Sequence, residues 1–488
     1  MTSTTANGWW GRARERFVRQ AEQSDHFAPD GIDRHSAALQ SALPLFLAGL
    51  LLFNVNLFLD GDTGWHLGAG HWIVEHRAVP TVDPFSHTFA ETPWTAHEWL
   101  AEVLMVGAEG VRGWGGLAVL FGLAGAATFA IISREGFRFL PARWAVALVL
   151  VIGGMLFTFS LGRPHMLAWP LLAFWTLLLL RARERNGAPP LVAALLMTVW
   201  ANLHASYIVA LGLAGLFALE SLVANRRDLK LLGRWALFGL LSVGAAIVTP
   251  FGPSHFLYPF EVSGMKALAI IGEWRRSTPL TDPLLYLCLA GLLLLLRRRW
   301  REVPPLRLLL LLGLTALAIS HARHQMLFAI IGSLVILPIL NPAGLERSPQ
   351  PFSRWFFPAA VLLVAVRLAW PYSFTETSTY PLTLLQRVPA DLKARPMYNE
   401  YSQGGPLVML GLKPYIDGRA DMYGDDFTFR AKAITNGDIA KFREDAERFR
   451  IAWVLLEFDD RLKLKLEREP GWRKLVEDEK ATVFVRAR

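Results

Sequence analysis

Leu59-Asp60-Gly61-Asp62-Thr63-Gly64-Trp65-His66 opens, and Pro93-Trp94-Thr95-Ala96-His97-Glu98-Trp99-Leu100 closes, the polar loop that follows the first apolar segment of the chain. Two carboxylates separated by one glycine stand where hydrocarbon gives way to water. Behind them come His66, His71, Asp83, His87, His97 and Glu98, interleaved with Trp65, Trp72, Trp94 and Trp99. Tryptophan among polar residues marks a membrane interface, because its ring is apolar while its N–H seeks a partner. Acids and imidazoles gathered at such an interface are costly to desolvate, so their presence points to chemistry performed there. The loop reads as the floor of an active site and the rest of the chain as its holder.

Outward from this loop the chain is apolar. Of 488 residues, 53% are hydrophobic and 19% charged, and several runs approach the roughly 20 residues that cross a bilayer. A net charge of +9 would suggest nucleic acid in a soluble chain. Here the basic residues lie between apolar segments, where they set topology, and no nucleic-acid partner is expected. The single cysteine, Cys288, excludes an intrachain disulfide and a cysteine-rich metal site. Residues 1–36 are polar and charged, with no apolar run at their start, and read as a cytoplasmic tail rather than a cleavable signal peptide.

About eleven spans are expected in 37–372: 37–59, 117–133, 144–161, 166–180, 191–203, 206–224, 232–250, 283–296, 306–320, 325–340 and 355–371. Charge tests the count. Clusters such as Arg181/Arg183/Arg185 and Arg297/Arg298/Arg299 alternate with loops poor in lysine and arginine. Twenty-two cations fall on one side and seven on the other, which makes the first side cytoplasmic. The alternation holds only if the amphipathic stretch 97–111 lies flat on the outer interface, within an outer loop spanning 60–116. Of twelve histidines, ten then fall at or near the outer face. From residue 373 to 488 the composition changes to that of a small extracytoplasmic α/β domain. Strands are expected at 397–401, 414–417, 451–458 and 481–485, and helices at 425–436 and 438–450, the latter capped by Asp438.

Three constellations carry chemistry. A carboxylate of Asp60-Gly61-Asp62 can serve as general base or help hold a divalent cation, or the pair can be a solvated turn. His66, Asp83, His97 and Glu98 support it. Arg163, His165, Arg323 and His324 stand at the outer ends of later spans, and arginine offers a planar fork that suits phosphate. His66, His71 and His76 do not share a helix face, which argues against a metal site built from them. In the outer domain Asp417, Arg419 and Asp421 follow a strand-like run, where α/β sheets bind ligands. An internal Asp–Arg pair explains Arg419 equally well.

The motifs Gly61-Asp62-Thr63-Gly64-Trp65-His66-Leu67, Asp83-Pro84-Phe85-Ser86, His97-Glu98-Trp99-Leu100 after Trp94, Arg163-Pro164-His165, Trp200-Ala201-Asn202-Leu203-His204 and Asp417-Gly418-Arg419-Ala420-Asp421 resemble those of a group of large bacterial multi-pass membrane proteins. That group's layout is similar to the GT-C superfamily of integral-membrane glycosyltransferases. The resemblance implies a bacterial inner-membrane enzyme of the inverting type. It would take its sugar from a polyprenyl-phosphate donor and pass it to a glycan, lipid or protein acceptor on the outer face. Asp60 or Asp62 would be the base, and Arg163, His165, Arg323 and His324 the phosphate cradle. The chain lacks the Trp-Trp-Asp type signature that oligosaccharyltransferases carry in their soluble domain, so transfer to asparagine is not implied. A lipid-linked-glycan transporter or flippase, or a non-catalytic assembly protein, are the rival readings.

Overall fold

The computed structural model describes residues 34–341 and 351–487, so the expected tail lies outside the described residues up to position 33. Each expected apolar segment overlaps a helix. Among the described residues, six helices are long and apolar enough to cross a membrane: His35–Leu52, Trp114–Phe139, Pro164–Glu184, Tyr207–Ala224, Leu229–Ala246 and Ala322–Leu340. Ala142–Phe157, Leu191–Leu203, Pro305–Ser320 and Phe356–Ala369 are apolar but shorter, and Pro283–Arg299 ends in arginines.

The first helix stops at Leu52 instead of running on to residue 59. Asn54 turns the chain there, its Oδ1 accepting the Asn56 N–H at 3.0 Å. Leu57 and Phe58 then fold back into the core, with Phe58 packed on Trp114 at 5.0 Å between ring centroids. Asp60 therefore follows a turn anchored by Leu57 and Phe58 rather than standing at the tip of a span.

The polar loop after the first helix, expected on the outer side, holds two helices, Asp62–His76 and Trp99–Arg112, which we call the loop helix and the ridge helix. They meet through His66 Nδ1 and Glu102 Oε1 at 3.2 Å and through His71 Nε2 and Glu109 Oε2 at 2.6 Å. Between them the chain is irregular and is pinned to the C-terminal domain. His87 Nε2 donates to the Met397 carbonyl at 2.8 Å, and Thr88 Oγ1 donates to the Tyr415 carbonyl at 2.7 Å.

The C-terminal domain is built on a four-stranded sheet of order β1-β2-β4-β3. Its strands are β1 (Met397–Asn399), β2 (Trp453–Glu457), β3 (Trp472–Glu477) and β4 (Ala481–Arg486). The β1–β2 pair is parallel and the other two are antiparallel. Val454 and Leu456 face one hydrophobic cluster, Trp453 and Leu455 another, as the period of two requires. Segment 414–417 is not a strand, which corrects the sequence reading. Its backbone finds partners elsewhere: Asn399 Oδ1 accepts the Tyr415 N–H at 2.7 Å and Asn399 Nδ2 donates to the Ile416 carbonyl at 2.8 Å. The helix expected at 425–436 runs Ala420–Thr435 with a kink at Gly424, where φ is 74°. Asp438 caps Ile439–Arg448 as expected, accepting the Lys441 N–H.

One hydrophobic cluster joins the two halves. Trp65, Ala69, Trp94 and Ala96 of the outer loop share it with Tyr398, Val408, Tyr415, Tyr423 and Phe427 of the C-terminal domain. The loop helix also lies against the docking helix, Tyr401–Met409, and the approach is backbone to backbone. A methyl group at Gly64 would come within 2.6 Å of the Gly405 carbonyl oxygen. This close crossing is what the glycines of Gly61-Asp62-Thr63-Gly64 and Ser402-Gln403-Gly404-Gly405 provide.

Candidate functional site

The sequence just after Asp60 sets the site. Asp60 Oδ1 accepts the Asp62 N–H at 2.8 Å, and this turn begins the loop helix and places both carboxylates on one edge. Opposite them the turn 158–163 is held in place by three contacts. Gly162 N donates to the Leu57 carbonyl at 2.7 Å, Thr63 Oγ1 donates to the Gly162 carbonyl at 3.1 Å, and His165 Nε2 donates to the Phe159 carbonyl at 2.9 Å. The turn presents Arg163.

The Arg163 guanidinium enters a ring of carboxylates. Its Nε donates to Asp60 Oδ1 at 2.7 Å and its Nη2 to Asp60 Oδ2. Nη2 also lies 3.0 Å from Asp62 Oδ2, and Nη1 donates to Glu273 Oε2 at 3.2 Å. Glu273 reaches on to Arg323, whose Nη1 donates to Oε1 at 2.9 Å. Arg323 in turn lies over the Trp274 ring, 4.5 Å from its centroid. Beside this network is a cavity of about 430 Å³, lined by Asp60, Asp62, Arg163, Glu273, Tyr401 and Lys432. Leu161, Ile270 and Ile271 form its apolar lip.

Electrostatics separate the two central acids. Burial lifts the Asp62 carboxyl from 3.8 to about 7; Arg163 opposes the rise, while Asp60 and Glu273 add to it. For Glu273 burial also pushes upward, but Arg163 and Arg323 overcome it and hold the group at about 2. Asp62 is therefore poised near neutrality, the optimum for a general base, whereas Glu273 is a fixed anion.

Behind Asp62 lies a second polar nest. Glu98 is approached at 3.7 Å by the Nε2 atoms of His66, His97 and His204. Burial raises Glu98 to about 8 and lowers His97, with help from His255, to about 3. These contacts are thus between neutral groups near pH 7. Asp421 borders the nest, accepting the Tyr258 hydroxyl at 2.6 Å.

Several expectations need correction. The N–H groups of Arg163 are spent on carboxylates in direct contact, so it is not a fork held open for phosphate. His165 closes its own turn, and His324 packs edge-on against Trp274 at 5.7 Å; neither lines the cavity. Arg419 is 1% exposed and belongs to the internal-pair reading. It binds Asp417 through Nε at 2.8 Å and Nη2 at 2.6 Å, and Asp83 through Nη1 at 2.7 Å. Asp83 also accepts the Phe85 and Ser86 N–H groups, so it orders the loop from within. Removing one partner from such a buried ion pair costs about 3–5 kcal/mol.

Glu273 and Lys432 were not singled out from sequence. Glu273-Trp274 repeats the acid–tryptophan signal of Glu98-Trp99 on another outer loop, and that signal would have found the first of them. Among the described residues no group of three or more His, Cys, Asp or Glu side chains is arranged to hold a metal ion. The carboxylates of Asp60, Asp62 and Glu273 come nearest, and they are closed around Arg163.

No family model and no curated protein sequence matches this chain. In fold it is similar to the oligosaccharyltransferase of Archaeoglobus fulgidus in its apo form. The TM-score is 0.51 at 13% identity, covering 86% of this chain and 69% of that one. The archaeal oligosaccharyltransferase AglB from Archaeoglobus fulgidus, in complex with an inhibitory peptide and a dolichol-phosphate, matches with TM-score 0.50 at 13% identity over the same shares. At this identity the likeness is one of fold, a mainly helical membrane-protein architecture.

Proposed function

We propose that this protein is a membrane glycosyltransferase that moves a sugar from a polyprenyl-phosphate donor to an acceptor hydroxyl or amide on the outer face of the membrane. The observation that carries this reading is Asp62, a carboxyl held at about 7 on the wall of a cavity with one apolar lip. The lip of Leu161, Ile270 and Ile271 suits an isoprenoid chain, the helix face of Thr428, Lys432 and Thr435 its phosphate, and the side of Tyr401 and Ser402 a polar acceptor. Asp62 takes the acceptor's proton as the acceptor atom forms its bond to the anomeric carbon. The bond from that carbon to the phosphate oxygen breaks, and the lipid phosphate leaves with the electron pair. A phosphate is already a good leaving group, so a cation near it suffices and no general acid is needed. Lys432 on the cavity wall is placed for that task, with Arg323 behind Glu273. Arg163 holds Asp62 and Asp60 in position.

The fold likeness to oligosaccharyltransferases supports transfer from a lipid carrier and leaves sugar and acceptor open. The test uses the purified chain in nanodiscs with radiolabelled polyprenyl-phosphate sugars and a panel of glycan, lipid and peptide acceptors. Wild type should transfer label with release of polyprenyl phosphate. Asp62→Asn, equal in shape and without basicity, should be slower by about 10²–10⁴-fold. Equal rates for the two proteins would overturn the reading. Movement of intact donor across the bilayer without transfer would favour the flippase.

A further inference from the structure

Three carboxylates from two distant stretches of chain meet around one side chain here. Asp60 and Asp62 come from the loop after the first helix. Glu273 comes from the short helical strap Gly272–Trp274 on another outer connection. All three contact the guanidinium of Arg163. Three carboxylates at one point in a partly dry site repel one another whenever they ionise together, and a cation at their centre offsets that repulsion. Hard oxygen donors in such a cluster are the usual set for Mg²⁺, Mn²⁺ or Ca²⁺. A metal ion would need these oxygens at about 2.0–2.6 Å, and it would have to stand where the guanidinium now stands.

We propose that Arg163 is the built-in cation of this site: its guanidinium fills a three-carboxylate cage that would otherwise take a divalent metal ion, so that the wild-type protein binds none there. The side chain suits the task. It is 16% exposed, it keeps its charge at every accessible pH, and its planar fork satisfies several carboxylates at once. It is also held in advance. Arg163 follows Gly162, whose amide is tied to Leu57, and precedes Pro164 at the start of a helix. A cation attached to the chain cannot be chelated or exchanged, so the charge that orders Asp62 is always present.

The inference rests on the transferase reading for what the cation does, but its test needs no turnover. The probe is Mn²⁺, added to the full chain in detergent and followed by the loss of its free EPR signal. Wild type and Arg163→Lys should leave the signal unchanged. Arg163→Ala should take up one Mn²⁺ per chain, with an affinity on the order of 10 µM or tighter, as oxygen-ligand sites do. Adding Glu273→Gln to Arg163→Ala should abolish that uptake. Arg163→Gln, which keeps most of the side chain's bulk, replaces Arg163→Ala if the latter is not folded by circular dichroism and size exclusion. Stoichiometric Mn²⁺ binding by wild type that Glu273→Gln removes would overturn the proposal. So would a folded Arg163→Ala or Arg163→Gln protein that takes up no Mn²⁺. A failed transfer assay with this binding pattern intact would count against the proposed reaction and leave the cage standing.

Discussion

Asp62 and Glu98 are both buried acids raised out of the usual carboxylate range, and they call for opposite experiments. Asp62 works as a base only when ionised. With its carboxyl lifted to about 7, kcat/KM should rise with pH up to about that value and level off above it. A flat profile across that range would show that another group takes the proton. Glu98 is lifted from 4.5 to about 8, by burial first and by Asp421 in addition, with Arg323 opposing, so near neutrality it is a carboxylic acid. A raised folded-state pKa gives stability that is full below 4.5 and is lost as pH rises through about 8. Glu98→Gln keeps the neutral shape. Its melting temperature should match wild type at acidic pH and decline less as pH rises through that window, as differential scanning fluorimetry would read. That Asp62 stands in a cluster of acids and tryptophans at an apolar boundary was legible in sequence. The partners of Arg163 were not, since they lie 103 and 110 residues away and no local pattern joins them.

At the level of elements, the crossing of the loop helix and the docking helix sets the distance between membrane domain and sheet. Gly64→Ala places a methyl against the Gly405 backbone, which cannot yield as a side chain can. Overpacking of this kind costs about 1–3 kcal/mol, and it should also open the cavity and depress activity. Gly107→Ala in the ridge helix is the control. Nothing lies within 4 Å of its added methyl, and a helical glycine replaced by alanine gains up to about 1 kcal/mol. Thermal unfolding of the two variants should therefore shift in opposite directions. Helices were legible wherever apolar runs ended in charge or proline. Strand β3 was not, because Trp472-Arg473-Lys474-Leu475-Val476-Glu477 carries the charges that protect a sheet edge and so lacks a clean alternation. Segment 414–417 misled for the converse reason: it has a strand's residues, but Asn399 replaces a strand neighbour.

For the whole molecule, the division of basic residues between the two sets of loops predicts that both the 181–185 and the 297–301 clusters face the cytoplasm. Reporter fusions at residues 185 and 300 should both read cytoplasmic, and an external signal at either would break the span order. The ion pair between Asp83 and Arg419 has a consequence in time as well as in space. Its members are 336 residues apart, so at 5–20 residues per second the ribosome makes the second roughly half a minute after the first. Throughout that interval Asp83 has no cation, and Trp65 and Trp94 have no core to enter. Nascent chains arrested before residue 397 should be cut by protease in the outer loop, where the finished protein resists. The first-made part of the site matures last, and a chain ending before residue 397 keeps the loop but not the domain that orders it.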